Sequence, residues 1–472
     1  MSMKRRETDR QEPLWVPTSK IPQAPGHPFY RRLAHVLAAR GFDRFVEGLC
    51  KRFYAERLGR RSVAPGVYFR MLMIGYFEGL DSERGIAWRC ADSLALREFL
   101  GYSLTEATPD HSTLSVIRCR IDLETHQEVF TWVLKVLAQE GLLKGKTIGI
   151  DATTLEANAA LRSIVRRETG QGYEEFLRGL AKASGIETPT VEDLKRIDKD
   201  RKGKGSNEDW EHPHDPDAKI AKMKDGRTHM AHKSEHAVDL DTSALVAVTV
   251  QGADQGDTTR VYETVAEAAE NLREVRDEED AGENLQSQRV SELVTDRGYA
   301  SAQVLEDLEE IGVRSYVPEP ARGRRRWKGR ARQRRAVYAN RRRTRSRRGR
   351  ELQRRRGQLL ERSFAHFYET GAMRRTHLRG QPKILKRLVV HAMAYNFGLV
   401  MRKLWGAGTP RGLAELLFGV SRAVCAAADA LLRRWHVFRD LMPHALTPGT
   451  CPQRPGPVSA ASVQIALSST GC

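Results

Sequence analysis

The sequence predicts an α/β protein with a mixed sheet and additional helices before and after it. Segments rich in β-branched residues predict strands near 147–157, 229–240, 245–251, 291–296 and 315–317. Apolar residues at helical spacing predict helices at 263–275 and 301–311. Three strands, a helix, a strand, a helix and a last strand make a mixed sheet with helices on its faces.

The domain boundaries follow changes in composition. Residues 1–27 are polar and contain prolines, which predicts a flexible leader, and residues 28–140 predict a helical domain for DNA binding or assembly. We expect the α/β domain to span 146–405, with a polar insertion at 159–226 and an arginine-rich tract at 322–356. Residues 406–472 predict a helical extension followed by a disordered tail.

Net charge indicates a polyanionic partner. The 472 residues carry a formal charge of +19. The 35 residues from Arg322 to Arg356 hold 19 Lys or Arg and one acid, Glu351, which gives 19 − 1 = +18. Such dense charge of one sign favours contact with nucleic acid.

The six cysteines form no CxxC pair, and no segment predicts a membrane span or a signal peptide, so we expect a cytoplasmic, nucleoid-associated protein.

Three acids stand out by their context. Asp151 follows the apolar segment IGI, Asp296 follows LVT, and Glu361 lies in the helical segment LLERSF. Adjacent strands would bring the two aspartates together, and a helix crossing the sheet could add the glutamate. Clustered carboxylates repel one another unless a cation neutralises them, and their oxygens select Mg²⁺ or Mn²⁺. Glu156 and Asp257 are possible auxiliary acids, for which we favour a structural or indirect role.

Four segments resemble insertion-sequence transposases of the IS4/IS5 superfamily, with the IS1182-like branch most similar. They are GIDATTLEAN, AVDLDTSALVAVTVQGADQGDT, VTDRGY and ERSFAHFYETGAMRRTHLRG, which begin at residues 149, 237, 294 and 361. The helical segment ending in PDHSTLSVIRCRI resembles the domain that precedes the catalytic core of those proteins, and the resemblance covers roughly residues 28–405.

The resemblance implies a ribonuclease H-like catalytic core of the DDE type. Asp151, Asp296 and Glu361 would be the catalytic residues and hold two Mg²⁺ or Mn²⁺ ions, with Asp151 bridging them. Many members carry Tyr and Arg seven and four residues before the Glu and Lys seven after it. This chain has Arg354, Gly357 and Tyr368 at those positions.

The predicted function is cleavage at the ends of an insertion sequence and strand transfer into target DNA. The partners would be double-stranded DNA and a second copy of the chain, in a dimer or larger assembly. Three alternatives remain open: a catalytically inactive DNA-binding descendant, a metal-dependent nuclease without strand transfer, and a basic protein that coats nucleic acid. The predicted DNA contacts are Arg324, Arg325, Arg326, Arg341, Arg342, Arg343, Arg354, Arg362, Arg374 and Arg375.

Overall fold

The computed structural model describes Trp15, Pro17 and residues 28–55, 62–200, 205–223, 226–286, 289–321 and 325–441. The predicted leader, apart from Trp15 and Pro17, and the tail beyond 441 lie outside the described residues. The chain divides into two compact units, 1–414 and 415–472. No helix in the described part of the chain is long and apolar enough to cross a membrane.

The N-terminal region is helical, as its apolar spacing predicts. Its helices are α1 Pro28–Ala39, α2 Phe42–Cys50, α3 Pro65–Phe77, α4 Glu83–Asp92, α5 Leu94–Leu100, α6 His111–Arg120 and α7 Leu123–Gln139. Nearly every residue of α3 is buried, which its almost continuous apolar sequence requires. Short polar side chains cap several of these helices; for example, Asp110 accepts the backbone N–H of Thr113 at the start of α6.

A mixed sheet follows these helices. Its strands are β1 Thr147–Glu156, β4 Lys219–Lys222, β5 Thr228–Asp239, β6 Leu245–Gly252, β7 Glu292–Val294 and β8 Arg314–Tyr316. The order is β4-β5-β1-β7-β8, with β6 also paired to β5. Strands β1, β5 and β6 are antiparallel neighbours, whereas β7 and β8 run parallel to β1. The mixed α/β fold class is therefore confirmed.

Helices cover both faces of this sheet. Between the later strands lie α10 Asp257–Arg276, α11 Glu279–Gly282 and α12 Ala302–Glu310. The N-terminal helices share the sheet's core. Thr131 on α7 donates to Asn271 on α10 over 3.1 Å, and buried Lys386 donates to the backbone carbonyls of Arg118 and Ile121. Lys386 lies on α15 Gln381–Trp405, which is largely buried. Residues 28–140 are thus part of the same compact unit as the sheet.

The polar insertion has structure and small cores of its own. It contains the ribbon of β2 Val165–Arg166 and β3 Trp210–Glu211 and the helices α8 Tyr173–Ala183 and α9 Val191–Asp200. Trp210 is buried against neighbouring aromatic and aliphatic side chains. Two short stretches of the insertion, 201–204 and 224–225, lie outside the described residues.

The arginine-rich tract folds into two successive helices, to which the sequence pattern assigned no structure before residue 351. These are α13 Ala331–Arg345 and α14 Arg347–Ala365. Asn340 fixes α13 to the sheet, because its side chain both accepts from the N–H of Val317 and donates to the carbonyl of Val317. The final helix is α16 Pro410–Leu441.

Candidate active site

Asp151 and Asp296 lie side by side because of the register of two parallel strands. Gly149 on β1 is paired with Val294, the last residue of β7. Asp151 and Asp296 each stand two residues further along their chains, and alternation turns Asp151 to the same face as Gly149. Asp151 does not end its strand, since β1 continues to Glu156. The end of β7 is what leaves Asp151 on a free edge of β1.

A cavity of about 320 Å³ opens at this free edge. Its lining combines three acids with two lysines: Asp151, Asp257, Asp296, Lys222 and Lys233, together with Ala152, Thr153, Thr154 and Met223. Convergence of this many carboxylates on one opening is costly without compensating positive charge.

Arg356 on α14 supplies part of that charge. Its Nη1 lies 2.8 Å from Oδ2 of Asp151, and both side chains are mostly buried, with exposed fractions of 14% and 26%. Burial raises the pKa of Asp151 above its ordinary value; Arg356 opposes the rise, whereas Asp296 adds to it. Asp296 therefore lies close enough to act electrostatically on the Asp151 carboxylate.

Asp296 is oriented by the turn that follows it. Its Oδ1 accepts the N–H of Gly298 over 2.8 Å and caps a short 3-10 helix, Arg297–Tyr299. Tyr299 is buried, and its hydroxyl donates to Oε1 of Glu235 over 3.0 Å. The turn is therefore tied to β5. Glu235 was missed by sequence reasoning, because β5 holds several other polar residues and nothing in the sequence distinguishes this one.

Asp257 is the third acid of the cavity. It begins α10, and its side chain forms an ion pair with Lys233 on β5. A Cβ added at Gly298 would meet the Asp257 carboxylate and come within 3.0 Å of Oδ1 of Asp296. The two acids therefore approach the same glycine, and Asp257, which the sequence offered only as an auxiliary acid, lines the cavity.

Glu361 does not join this cavity. Its side chain is exposed on α14 and is absent from the cavity lining. Arg356 faces Asp151, and a residue five positions later is rotated about 140° around a helix. The face that packs inward at this level carries Leu360 and Ser363 instead. The expected meeting of Glu361 with the two aspartates is not seen, because the phase of α14 turns it to solvent.

Tyr368, which stands where many similar transposases have a lysine, is tied to β1. Its hydroxyl donates to the carbonyl of Thr154 over 2.8 Å and forms a hydrogen bond with the Thr153 hydroxyl. Both threonines line the cavity. Tyr368 therefore supports one wall of the site rather than extending a charge toward it.

The predicted DNA-binding arginines differ in whether their side chains already form hydrogen bonds or ion pairs within the protein. Arg324 lies outside the described residues. Arg343 donates to the backbone carbonyl and the hydroxyl of Ser315, so its guanidinium holds α13 against β8. Others pair with acids: Arg325 and Arg341 with Glu319, Arg374 with Glu369, and Arg375 with Glu156. Within the described part of the chain, four of the predicted DNA contacts are exposed and form no such ion pair: Arg326, Arg342, Arg354 and Arg362.

The donor set fits one hard divalent cation. Mg²⁺ is commonly held by one or two carboxylates, with water and substrate phosphate at its other positions. Asp151 and Asp296 provide two such carboxylates at one opening. Among the residues that the structure describes, no group of three or more His, Cys, Asp or Glu side chains is arranged to hold a metal ion. The geometry thus supports a carboxylate pair, not a complete three-acid cluster.

Two family models match the chain. Residues 18–120 match a transposase domain (DUF772), and residues 207–397 match a transposase DDE domain. Together they support a DDE transposase. The DDE match contains Asp257, Asp296 and Glu361, whereas Asp151 lies before it. No curated protein and no solved structure matches the chain.

Proposed function

We propose that the chain is an insertion-sequence transposase of the IS4/IS5 superfamily, IS1182-like branch. It would cut DNA at the ends of its element and join the freed 3′-hydroxyl to target DNA. The observation that carries the proposal is the pairing of Asp151 and Asp296 on adjacent parallel strands, at a cavity inside a chain with two transposase domains.

The sheet supports a ribonuclease H-like core. Three antiparallel strands, β6, β5 and β1, are followed by two strands parallel to β1, with helices in the connections. That order is the one the sequence resemblance implies. It brings a carboxylate on the first strand beside one that follows the fourth strand of this core.

Asp151 and Asp296 would hold Mg²⁺ or Mn²⁺ in this site. A bound ion would activate the attacking oxygen or stabilise the leaving oxygen of a phosphodiester, and the two-ion arrangement would need a further carboxylate, from Asp257 or Glu361. The chain's own contribution is orientation: the Gly298 N–H holds Asp296, and Arg356 holds Asp151. Cleavage and joining are both displacements at phosphorus, so one site can serve both.

DNA binding is assigned to the basic helices. Exposed arginines along α13 and α14, among them Arg342, Arg354 and Arg362, would contact backbone phosphates. Because two element ends have to be held together, we propose a dimer or larger assembly on DNA.

A second candidate is a DNA-binding descendant without catalysis. The exposed position of Glu361 and the Arg356–Asp151 pair favour it, because Glu361 is absent from the cavity lining and the Arg356 guanidinium already pairs with Asp151.

The deciding experiment is cleavage and strand transfer on duplexes that carry the element ends, with Mg²⁺ or Mn²⁺. We expect Asp151→Asn and Asp296→Asn each to lower the cleavage rate by about 100-fold or more while DNA binding persists. Asp241→Asn is the matched control, because Asp241 pairs with Arg355 and is not part of the cavity lining. A wild-type chain that binds the ends without cutting them would instead favour the second candidate.

Comparison of Asp257→Asn with Glu361→Gln separates the two candidates for a third acid. Glu351→Gln serves as the control for Glu361, since both are exposed glutamates on α14. If Glu361→Gln abolishes cleavage and Asp257→Asn does not, α14 has to rotate when DNA binds. The opposite result, with DNA binding by Asp257→Asn unchanged, assigns the third carboxylate to Asp257.

A further inference from the structure

Lys233 is a partly buried cation at the mouth of the aspartate cavity. It lies on β5 between Thr154 of β1 and Gln251 of β6, so its backbone is fixed from both sides. Its side chain is 14% exposed and lines the same cavity as Asp151 and Asp296. A lysine placed beside a pair of candidate metal-holding acids is within reach of whatever anion binds there.

The Lys233 ammonium is held by two acceptors. Its Nζ donates to the backbone carbonyl of Gln255 over 3.1 Å and to the Asp257 carboxylate. An ammonium has three N–H donors, and within the described residues no acceptor takes the third. The group is therefore pre-oriented, with one donor left for a ligand.

Charge in the cavity selects the class of ligand. Three carboxylates would repel a phosphodiester unless cations lie near it. Lys222 also lines the cavity, but its side chain is exposed and less constrained. Lys233 is the more rigid of the two, and a fixed cation loses less conformational entropy when it binds a phosphate.

We propose that Lys233, oriented by Asp257, binds a non-bridging oxygen of the DNA phosphate that enters the Asp151–Asp296 cavity. This inference rests on the proposed function and deepens it. Lys233 acts on the substrate by a charge-assisted hydrogen bond, and Asp257 is its positioning residue. No covalent step involves either group.

The test compares Lys233→Gln with Lys219→Gln. Lys219 is a matched control, since it is a lysine on the adjoining strand β4 whose Nζ also donates to a backbone carbonyl, that of Pro216, but it lies outside the cavity lining. Binding of an end duplex is measured with Ca²⁺ in place of Mg²⁺ over a series of KCl concentrations. We expect Lys233→Gln to bind about tenfold more weakly and to reduce the slope of log K against log salt by about one.

Two further variants distinguish phosphate contact from a structural role. Lys233→Arg keeps the positive charge and should recover most of the salt slope, whereas Asp257→Asn should weaken binding less than Lys233→Gln does. A single methylphosphonate at the cleaved position should weaken binding of wild type and have little effect on Lys233→Gln. Thermal unfolding midpoints of the variants show whether a loss of fold contributes.

Each outcome is decisive for one proposal. If Lys233→Gln binds and cleaves as wild type does, with an unchanged salt slope, the inference is wrong while cleavage by wild type leaves the transposase proposal intact. If wild type never cleaves, the transposase proposal fails, and the salt slope still decides whether Lys233 contacts a phosphate.

Discussion

Removal of the Tyr299 hydroxyl tests how the turn after Asp296 is held. Tyr299→Phe keeps the buried ring and deletes the donor to Glu235, a carboxylate that is fully buried. A hydrogen bond to a charged group contributes about 1.5–3 kcal/mol. Oε1 of Glu235 keeps a second donor, Gln251 at 3.2 Å, so we expect a loss of about 2 kcal/mol in the free energy of unfolding.

Urea unfolding followed by tryptophan fluorescence measures this loss. With an m value of about 3 kcal/mol/M, the midpoint should fall by about 0.7 M. Tyr262→Phe is the control: Tyr262 also donates to a carboxylate, that of Asp307, but it is 40% exposed, and its replacement should change stability by less than about 0.5 kcal/mol. Equal midpoints for Tyr299→Phe and wild type, or equal losses in the two variants, would refute the argument from burial.

Three other predictions concern pH and glycines. Burial lowers the pKa of His236 to about 3, so between about pH 6.5 and pH 3 the unfolded chain binds a proton that the folded chain does not. The free energy of unfolding should therefore decrease as the pH is lowered through this range. His236→Leu should reduce this pH dependence by up to about 1.4 kcal/mol per pH unit in unfolding titrations. Gly298→Ala should slow cleavage at least about tenfold with little change in the unfolding midpoint, because the new Cβ displaces the carboxylates of Asp257 and Asp296. A Cβ added at Gly357 on α14 would meet only open space. Gly357→Ala should therefore raise the free energy of unfolding by about 1 kcal/mol and leave the cleavage rate unchanged. A decrease in the free energy of unfolding would contradict this expectation.

The strand that carries Asp151 and its partnership with Asp296 were predictable from sequence. Apolar β-branched segments end in acids at both positions, and adjacent strands bring such residues together. What could not be predicted is where β7 ends. The sequence pattern extends that strand to Asp296, whereas β7 stops at Val294 while β1 extends to Glu156, and this difference creates the cavity edge.

The helices of the arginine-rich tract and the position of Glu361 were not predicted from the sequence, for two different physical reasons. Arginine favours helices, and no proline interrupts 331–365, so a signal for α13 was present but concealed by the charge of the tract. The phase of α14 depends on which of its sides packs on the sheet, and that choice is made by tertiary contacts such as Arg356 with Asp151. The sequence indicated only an auxiliary role for Asp257, because only the fold brings the start of α10 beside Gly298.

The insertion after β1 leaves and re-enters the sheet at neighbouring points. Ala157 donates its N–H to the carbonyl of Met230 over 2.9 Å, directly beyond the β1–β5 pair Glu156 and Ala231. A short turn could therefore join the two strands as a simple hairpin without a change of register. The length of the segment between them is therefore not fixed by the pairing of β1 with β5, whereas its last part is tied to the site, because β4 pairs with β5 and Lys222 and Met223 line the cavity.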